Sequence, residues 1–346
     1  MPKDGELVKK VLPIGQPLIM SYKNYCIPFA IMANVPESRS WILNRFLQLY
    51  TRSEIKDDYH WLQFYLIHDC LTDDYTPNPW LEIHMTDPAW FTKDSATTFI
   101  RTRIDEGRYV EVNCDQYYLS HTHAYAQRHR YSNLLIHGFD DKEQVYHVLD
   151  FTFTTTRQFQ SMTIPYSSLI LHIDDVPTRP LKVIKLREDA HTELHISLIH
   201  QLLSDYLHSH NTSTRLAMLP HTYEQAVFGL EVYTKFEEYI QALIAHQSYI
   251  NILPFQILFD HKKCVYELVQ LLHQANHFTN PSAGNQLVKD AESLMRTALA
   301  FRNTKLKFLR KQDKSIFGDM LNMIPEMKER DKLLCDAILS ALRLDT

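Results

Sequence analysis

Three side chains that together perform nucleophilic catalysis, a thiol, an imidazole and a carboxylate, occur in that order along the chain. The thiol is Cys26 in "SYKNYCIPFAIMANVP", where a proline two residues later and an apolar run predict the first turn of a buried helix. The dipole of a helix stabilises a thiolate at its N-terminus. The alternative is a buried structural cysteine, which is common for free thiols. Cys26 is therefore a candidate nucleophile.

The imidazole and the carboxylate come from "YSNLLIHGFDDKEQVYHVLDF", which predicts a strand, a tight acidic turn and a second strand. His137 stands before the turn, and Asp150 stands near the end of the second strand. A histidine can take the proton of a thiol, and a carboxylate can hold that imidazole in the right tautomer. His129, in a loop-like stretch upstream, is the alternative base, and the sequence does not decide between the two histidines.

A metal site is the rival interpretation of "SHTHAYAQRHR", which contains His121, His123 and His129. The first two have a chelating spacing for a strand, but no third ligand or carboxylate partner is evident. We therefore expect structural or loop histidines here and no metal. The remaining cysteines do not open a helix with a proline behind them, and we expect them in strands or on apolar helix faces. They are Cys70, Cys114, Cys264 and Cys335.

Composition narrows the class of protein. The 346 residues are 45% hydrophobic, which suffices for a large core, and the net charge of −5 does not favour nucleic-acid binding. The apolar runs are too short to span a membrane, and the polar N-terminus does not resemble a signal peptide, so we expect a cytoplasmic protein. Seven well-separated glycines exclude the glycine-rich motifs that bind phosphates or dinucleotides. No bound cofactor is therefore expected.

Two styles of sequence divide the chain. Residues 1–178 mix short helices with β-rich runs such as "GRYVEVNCDQYYLS" and "SMTIPYSSLILHI". Residues 179–346 show apolar positions three and four apart, as in "HISLIHQLLSDYL", which is typical of amphipathic helices. We predict an α+β protein, with a β-rich first region and a C-terminal helical bundle region packed on it.

With these residues identified, the chain resembles the papain-like acyltransferases related to the N-terminal domain of butirosin biosynthesis protein H, which occur in natural-product biosynthesis. The resemblance rests on Cys26, on the strand–"GFDD"–strand block and, more weakly, on "FGLEVYTKFEEYI" and "DHKKCVYELVQLL". It implies a papain-like fold, with an antiparallel sheet and an N-terminal helix that carries the cysteine.

The same resemblance implies an activity. Cys26 would take an acyl group from the phosphopantetheine arm of an acyl or peptidyl carrier protein and pass it to a small-molecule amine, with no need for ATP. Asp150 would orient the base, and the backbone N–H of Cys26 would stabilise the oxyanion, with Ser21, Lys23 or Asn24 as the second donor. In such enzymes the histidine precedes the glycine of the turn by six residues, a place that Ser132 occupies here.

Two other functions are compatible with these residues. A cysteine peptidase or amidase would use the same groups with water as the acceptor. A catalytically inactive scaffold of a biosynthetic complex is the second alternative, because Ser132 cannot act as a general base. The acyl donor, the amine and the product cannot be identified from the sequence.

Overall fold

The structure is a computed structural model that describes residues 9–51, 61–66, 78–87, 91–152, 158–171, 180–215, 224–248, 251–311, 313 and 315–344. These residues form both β-strands and α-helices, so the α+β prediction is confirmed. The strands are β1 (Lys9–Val11), β2 (Leu49–Thr51), β3 (Leu62–Phe64), β4 (Leu81–Thr86), β5 (Tyr109–Asp115), β6 (Tyr131–Asp140), β7 (Val145–Thr152), β8 (Gln158–Pro165), β9 (Leu181–Leu186) and β10 (Val227–Phe228). The helices are α1 (Lys23–Met32), α2 (Arg39–Leu43), α3 (Lys93–Asp105), α4 (Ile196–Leu207), α5 (Val232–Ile244), α6 (Leu253–Gln274), α7 (Pro281–Lys311) and α8 (Ser315–Ala341). None of the described helices is long and apolar enough to cross a membrane.

A seven-stranded antiparallel sheet forms the centre of the first compact unit. Its strand order is β4-β9-β5-β6-β7-β8, and β1 pairs with the end of β6. Cys114 lies opposite Ser132 in the β5–β6 pair, and Ile136 lies opposite Val148 in the β6–β7 pair. Because side chains alternate along a strand, these four residues and Asp150 share one side of the sheet, which we call face A. The other side is face B.

A β-bulge interrupts β6. The pairing with β7 shifts between Ile136 and Gly138, so that His137 is the extra residue. A bulge bends its strand. His137 directly follows Ile136 of face A, so by alternation it points to face B, where its ring lies 6.2 Å from the ring of His147.

The helices α1 and α3 complete the first unit. In α1 every residue from Tyr25 to Met32 is buried. In α3 the side chain of Thr92 caps the first turn by accepting a hydrogen bond from the backbone N–H of Ser95. Arg101 of α3 lies over the ring of Phe139, which fixes this helix against β6.

The second compact unit contains the other helices and a small sheet. The sheet has the order β10-β2-β3, and the helices α4 to α8 all lie in the region whose periodicity predicted helices, with bounds that differ from the predicted segments. Its core is aromatic, with Trp61 packed 5.1 Å from Phe236 and 5.3 Å from Tyr239 between ring centres.

The units do not follow one break in the chain. The first takes its described residues from Met1–Pro17, Tyr22–Pro36 and Cys70–His191, and the second takes its own from Leu18–Ser21, Glu37–Asp69 and Thr192–Thr346. The sequence placed a boundary after residue 178 and assigned the early strands to the first region. Because β2 pairs with both β3 and β10, the strands β2 and β3 belong to the unit of the helices.

Candidate active site

Asp150 is the centre of a polar cluster on face A. Only 1% of its surface is exposed. One carboxylate oxygen lies 2.5 Å from the ammonium of Lys23 and accepts a hydrogen bond from the N–H of Phe151, and the other lies 3.1 Å from Nε2 of His121. Burial raises the pKa of Asp150, but Lys23 and His121 together outweigh burial, so this pKa lies below its ordinary value. The carboxylate is therefore ionised and holds two cationic or proton-bearing partners.

Lys23 connects this cluster to α1, of which it is the first residue. Its ammonium donates to Oγ of Ser132 at 2.9 Å and to the carbonyl of Asn133 at 2.6 Å, in addition to the ion pair with Asp150. All three ammonium protons are thus engaged. Lys23 fixes the N-terminus of α1 over β6 and β7, so it contributes positioning rather than the oxyanion donor considered above.

His121 is the imidazole that the structure places on Asp150. It is buried in the loop between β5 and β6, and Nε2 makes its one hydrogen bond with a described residue. A carboxylate can only accept, so Nε2 carries the proton in the neutral ring and Nδ1 is left as an acceptor. From the sequence, His121 was expected to be a structural or loop histidine, with a metal ligand as the rival interpretation. The order cysteine, histidine, aspartate holds equally for Cys26, His121 and Asp150, and that order was the available signal.

Cys26 is fully buried, and it is the fourth residue of α1 rather than the first. It comes three residues after Lys23, and residues three apart are neighbours on a helix surface. Cys26 is therefore a neighbour, on α1, of the lysine that pairs with Asp150. Its backbone N–H donates to the carbonyl of Tyr22 at 2.8 Å. The expectation that this N–H is free to stabilise an oxyanion is therefore wrong. Pro28 is tolerated further inside the helix than predicted, in a fully packed segment.

His137 does not pair with Asp150, contrary to one of the two expectations for the base. Its Nδ1 lies 3.1 Å from the carbonyl of Leu12, and its Nε2 lies 2.9 Å from Oγ of Ser161. Alternation along β6 puts His137 on face B, whereas Asp150 points to face A. Burial lowers the pKa of His137 more than the hydrogen bond with the Leu12 carbonyl raises it.

His129, the other base considered, belongs to a separate pair. Its Nδ1 lies 2.5 Å from a carboxylate oxygen of Asp115, and its ring stacks on Tyr117 with centres 4.5 Å apart. Asp115 is fully buried and points to face B, while the side chain of His129 is 57% exposed. Asp150 and His129 therefore occupy different sides of the sheet, and no described contact joins them.

Cys114 is the other cysteine associated with the face A cluster. Burial raises its pKa to about 12, and the charge of Asp150 acts in the same direction. A thiol with so high a pKa is scarcely ionised at neutral pH and is a poor nucleophile. Cys264 and Cys335 are buried on α6 and α8, and Cys70 lies outside the described residues.

Comparisons with known proteins do not extend this assignment. No protein family matches the chain, and no curated protein matches it either. Within the described part of the chain, no three histidine, cysteine or acidic side chains are grouped as a metal would require. The function is therefore inferred from the geometry of the face A cluster.

Proposed function

We propose that this protein is a papain-fold, cysteine-dependent acyltransferase that moves an acyl group from a carrier-protein thioester to an amine, with Cys26 as nucleophile, His121 as base and Asp150 as the group that orients the base. The observation that carries the proposal is the hydrogen bond between Nε2 of His121 and the buried, ionised Asp150. It leaves Nδ1 in the form that can accept a proton, which is the requirement for a general base.

The chemistry proceeds in two steps. Nδ1 of His121 takes the Cys26 proton, and the sulfur attacks the thioester carbon. The bond to the pantetheine sulfur breaks, and that sulfur leaves with the proton from His121. The amine nitrogen then attacks the enzyme thioester, the carbon–sulfur bond to Cys26 breaks, and His121 passes the amine proton to the cysteine sulfur. Asp150 stabilises the imidazolium in both steps, and no ATP is needed because the donor is already activated.

Intact-mass spectrometry with an acylated carrier protein tests the proposal. We expect the protein to gain one acyl group, to lose it when an amine is added, and to gain none as the Cys26→Ala variant. The matched control is Cys264→Ala, since burial raises the pKa of that thiol far above its ordinary value and it should take no part. If Cys26 never gains the acyl mass and Cys26→Ala keeps full activity, the proposal is wrong. Peptide hydrolysis that needs no amine would instead identify a peptidase or amidase.

One observation favours a second candidate, the inactive scaffold. Cys26 is fully buried, and its N–H is used inside the helix, so neither the thiol nor this amide is presented to a substrate in this conformation. Iodoacetamide labelling of the native protein separates the two functions. The acyltransferase requires that Cys26 is labelled faster than an ordinary thiol of pKa about 8.5. Labelling of Cys26 only after unfolding would support the scaffold.

A further inference from the structure

The buried histidine on face B is bonded to a hydroxyl that the proposed reaction does not use. His137 lies on β6, and Ser161 lies two strands away on β8, the last strand of this sheet among the described residues. The strand β7 lies between them, and its residue Leu149 is paired with Ser161. Both side chains point to face B, and Nε2 of His137 lies 2.9 Å from Oγ of Ser161.

The direction of both hydrogen bonds follows from the acceptor on the far side of the ring. The Leu12 carbonyl can only accept, so Nδ1 of His137 carries a proton and donates to it at 3.1 Å. In a neutral ring Nε2 then has a free electron pair, and the Ser161 hydroxyl donates to it. Burial favours that neutral ring because it disfavours the imidazolium, and the nearby His147 acts in the same direction.

Hydroxyl, base and orienting group thus have the arrangement of an activated nucleophile. The backbone carbonyl of Leu12 takes the place that a carboxylate occupies in a serine–histidine–aspartate triad. His137 is buried to 2% exposure, whereas Ser161 is exposed, so the base is shielded from water and the hydroxyl is accessible. We propose that Ser161 and His137 form a second nucleophilic site, independent of Cys26, that is acylated by small activated carboxylic esters.

The reaction balances without a cofactor. Oγ of Ser161 attacks the ester carbon and gives its proton to Nε2 of His137. The bond to the alcohol oxygen breaks, and the alcohol leaves with that proton. Water then attacks the acyl-serine, which releases the acid and restores the hydroxyl. No oxyanion donor is assigned to Ser161 among the described residues, and loss of such a donor costs about 10²–10³ in kcat. The experiment therefore measures stoichiometric modification rather than turnover.

Diisopropyl fluorophosphate is the probe, because it phosphorylates activated serines and releases fluoride. We expect one phosphoryl group per chain, located at Ser161 by peptide mapping, and none in Ser161→Ala. The exposed Ser120, which makes no hydrogen bond with an imidazole in the described structure, provides the matched control, and Ser120→Ala should label like the unchanged protein. Label elsewhere, label retained in Ser161→Ala, or no label would overturn the proposal.

The pH dependence tests the base without relying on a variant that could fail to fold. His147 is the titratable group that faces His137 from β7; the partners from β8 and from the segment after β1 are a hydroxyl and a carbonyl. Labelling of the unchanged protein should rise with a single midpoint below 6.5 and then level off, since only the neutral imidazole accepts the proton. A rate that keeps rising with hydroxide concentration would show an ordinary alcohol. His137→Gln, which cannot take a proton, should label at least tenfold more slowly.

Discussion

Each compact unit contains a lysine–aspartate ion pair whose carboxylate is buried, and polar side chains surround each pair. In the sheet unit the pair is Lys23 and Asp150, and in the helical unit it is Lys262 and Asp331. Burial of such a pair costs desolvation energy, so neither is evidence for stability alone. The difference between them lies in the histidine that each cluster holds.

The helical cluster is closed. The ammonium of Lys262 pairs with Asp331 and also donates to the hydroxyl of Tyr206 at 2.8 Å and to Nδ1 of His261 at 3.1 Å. Nε2 of His261 donates to the Leu47 carbonyl at 2.8 Å, so both ring nitrogens are occupied. Every member is buried, and the cluster joins α4, α6 and α8. Such a network fixes helices but offers no group to a substrate.

The cluster in the sheet unit differs from the helical cluster in one ring nitrogen. Nδ1 of His121 makes no hydrogen bond with a described residue, whereas the ammonium of Lys23 and the carboxylate of Asp150 are fully engaged. A buried ion pair therefore does not by itself mark a catalytic site. The distinguishing feature is an oriented base with an acceptor to spare.

Replacement of His121 should have the largest effect. His121→Gln keeps a hydrogen bond to Asp150 but removes the base, and general acid–base catalysis contributes about 10²–10⁴ in rate. We expect acylation of Cys26 by the carrier thioester to slow by that factor, with the measured Tm nearly unchanged. The exposed His123, two residues along the same loop, is the control, and His123→Gln should stay within about twofold. Equal effects of both variants would remove His121 from the proposed mechanism.

Breaking the closed cluster should cost stability instead. Lys262→Met leaves Asp331 buried with two tyrosine hydroxyls and no cation, and removal of one partner of a buried pair costs about 3–5 kcal/mol. Urea unfolding followed by tryptophan fluorescence measures the loss. The double variant Lys262→Met/Asp331→Leu should recover most of it, since no charge remains unpaired. If the single variant unfolds at the same urea concentration as the unchanged protein, the cluster does not hold the helices together.

The strands and helices were predictable because their evidence is local. Alternation predicted the hairpin of β6 and β7, and three- and four-residue spacing predicted α4 and α6. Even here β6 continues past Gly138 to Asp140, so the turn falls later than the glycine suggested. The order of the sheet, in which β9 inserts between β4 and β5, depends on pairing across long separations that no local pattern reveals.

The site was predictable only in part. Asp150 is at the centre of the cluster, but its partner is His121 rather than His137 or His129. Alternation along β6 places His137 on the side opposite to Ser132, and the register between β6 and β7, which no local pattern reveals, places Asp150 on the side of Ser132. His121 reaches Asp150 because the loop after β5 folds back over face A, which depends on tertiary packing. The role of Lys23 was missed for the same reason.

The helical unit also holds a buried carboxylate that has no described ion-pair partner, and its energy depends on pH. Asp260 in α6 accepts hydrogen bonds from the N–H of Met20 and from Gln256, and burial raises its pKa from 3.8 to about 6. A carboxyl whose pKa is raised by folding stabilises the folded state while it is protonated. The contribution of Asp260 to the free energy of unfolding is therefore complete below pH 3.8 and is lost as pH rises through about 6. A shift of about two units corresponds to about 3 kcal/mol.

Asp260→Asn removes this dependence. Relative to the unchanged protein, the variant should gain up to about 3 kcal/mol in its free energy of unfolding between about pH 4 and about pH 7. Asp336→Asn, at an exposed position on α8, is the control and should show no such gain. Urea titrations at both pH values give the answer, and a difference that does not change with pH would mean that Asp260 ionises without penalty.

Replacement of Lys305 should have the smallest effect on stability. Its pKa is lowered, whereas the pKa of a lysine that pairs with a carboxylate is raised, so its pH dependence has the opposite sign. Its ammonium has no hydrogen-bond partner in the described structure and lies 5.1 Å and 5.2 Å from the ring centres of Phe308 and Phe317. Burial lowers its pKa from 10.5 to about 8. The contribution of Lys305 to the free energy of unfolding is therefore complete above pH 10.5 and is lost as pH falls through about 8. Cation–π attraction offsets about 0.5–2 kcal/mol of that loss. Lys305→Met should therefore raise the free energy of unfolding by about 1 kcal/mol at neutral pH, a gain that shrinks toward pH 10.

The exposed Lys289 on the same helix is the control, and Lys289→Met should leave Tm unchanged at both pH values. If Lys305→Met instead lowers Tm equally at both, the aromatic rings rather than desolvation decide the energy of this lysine, and a buried cation needs no carboxylate to be stable here.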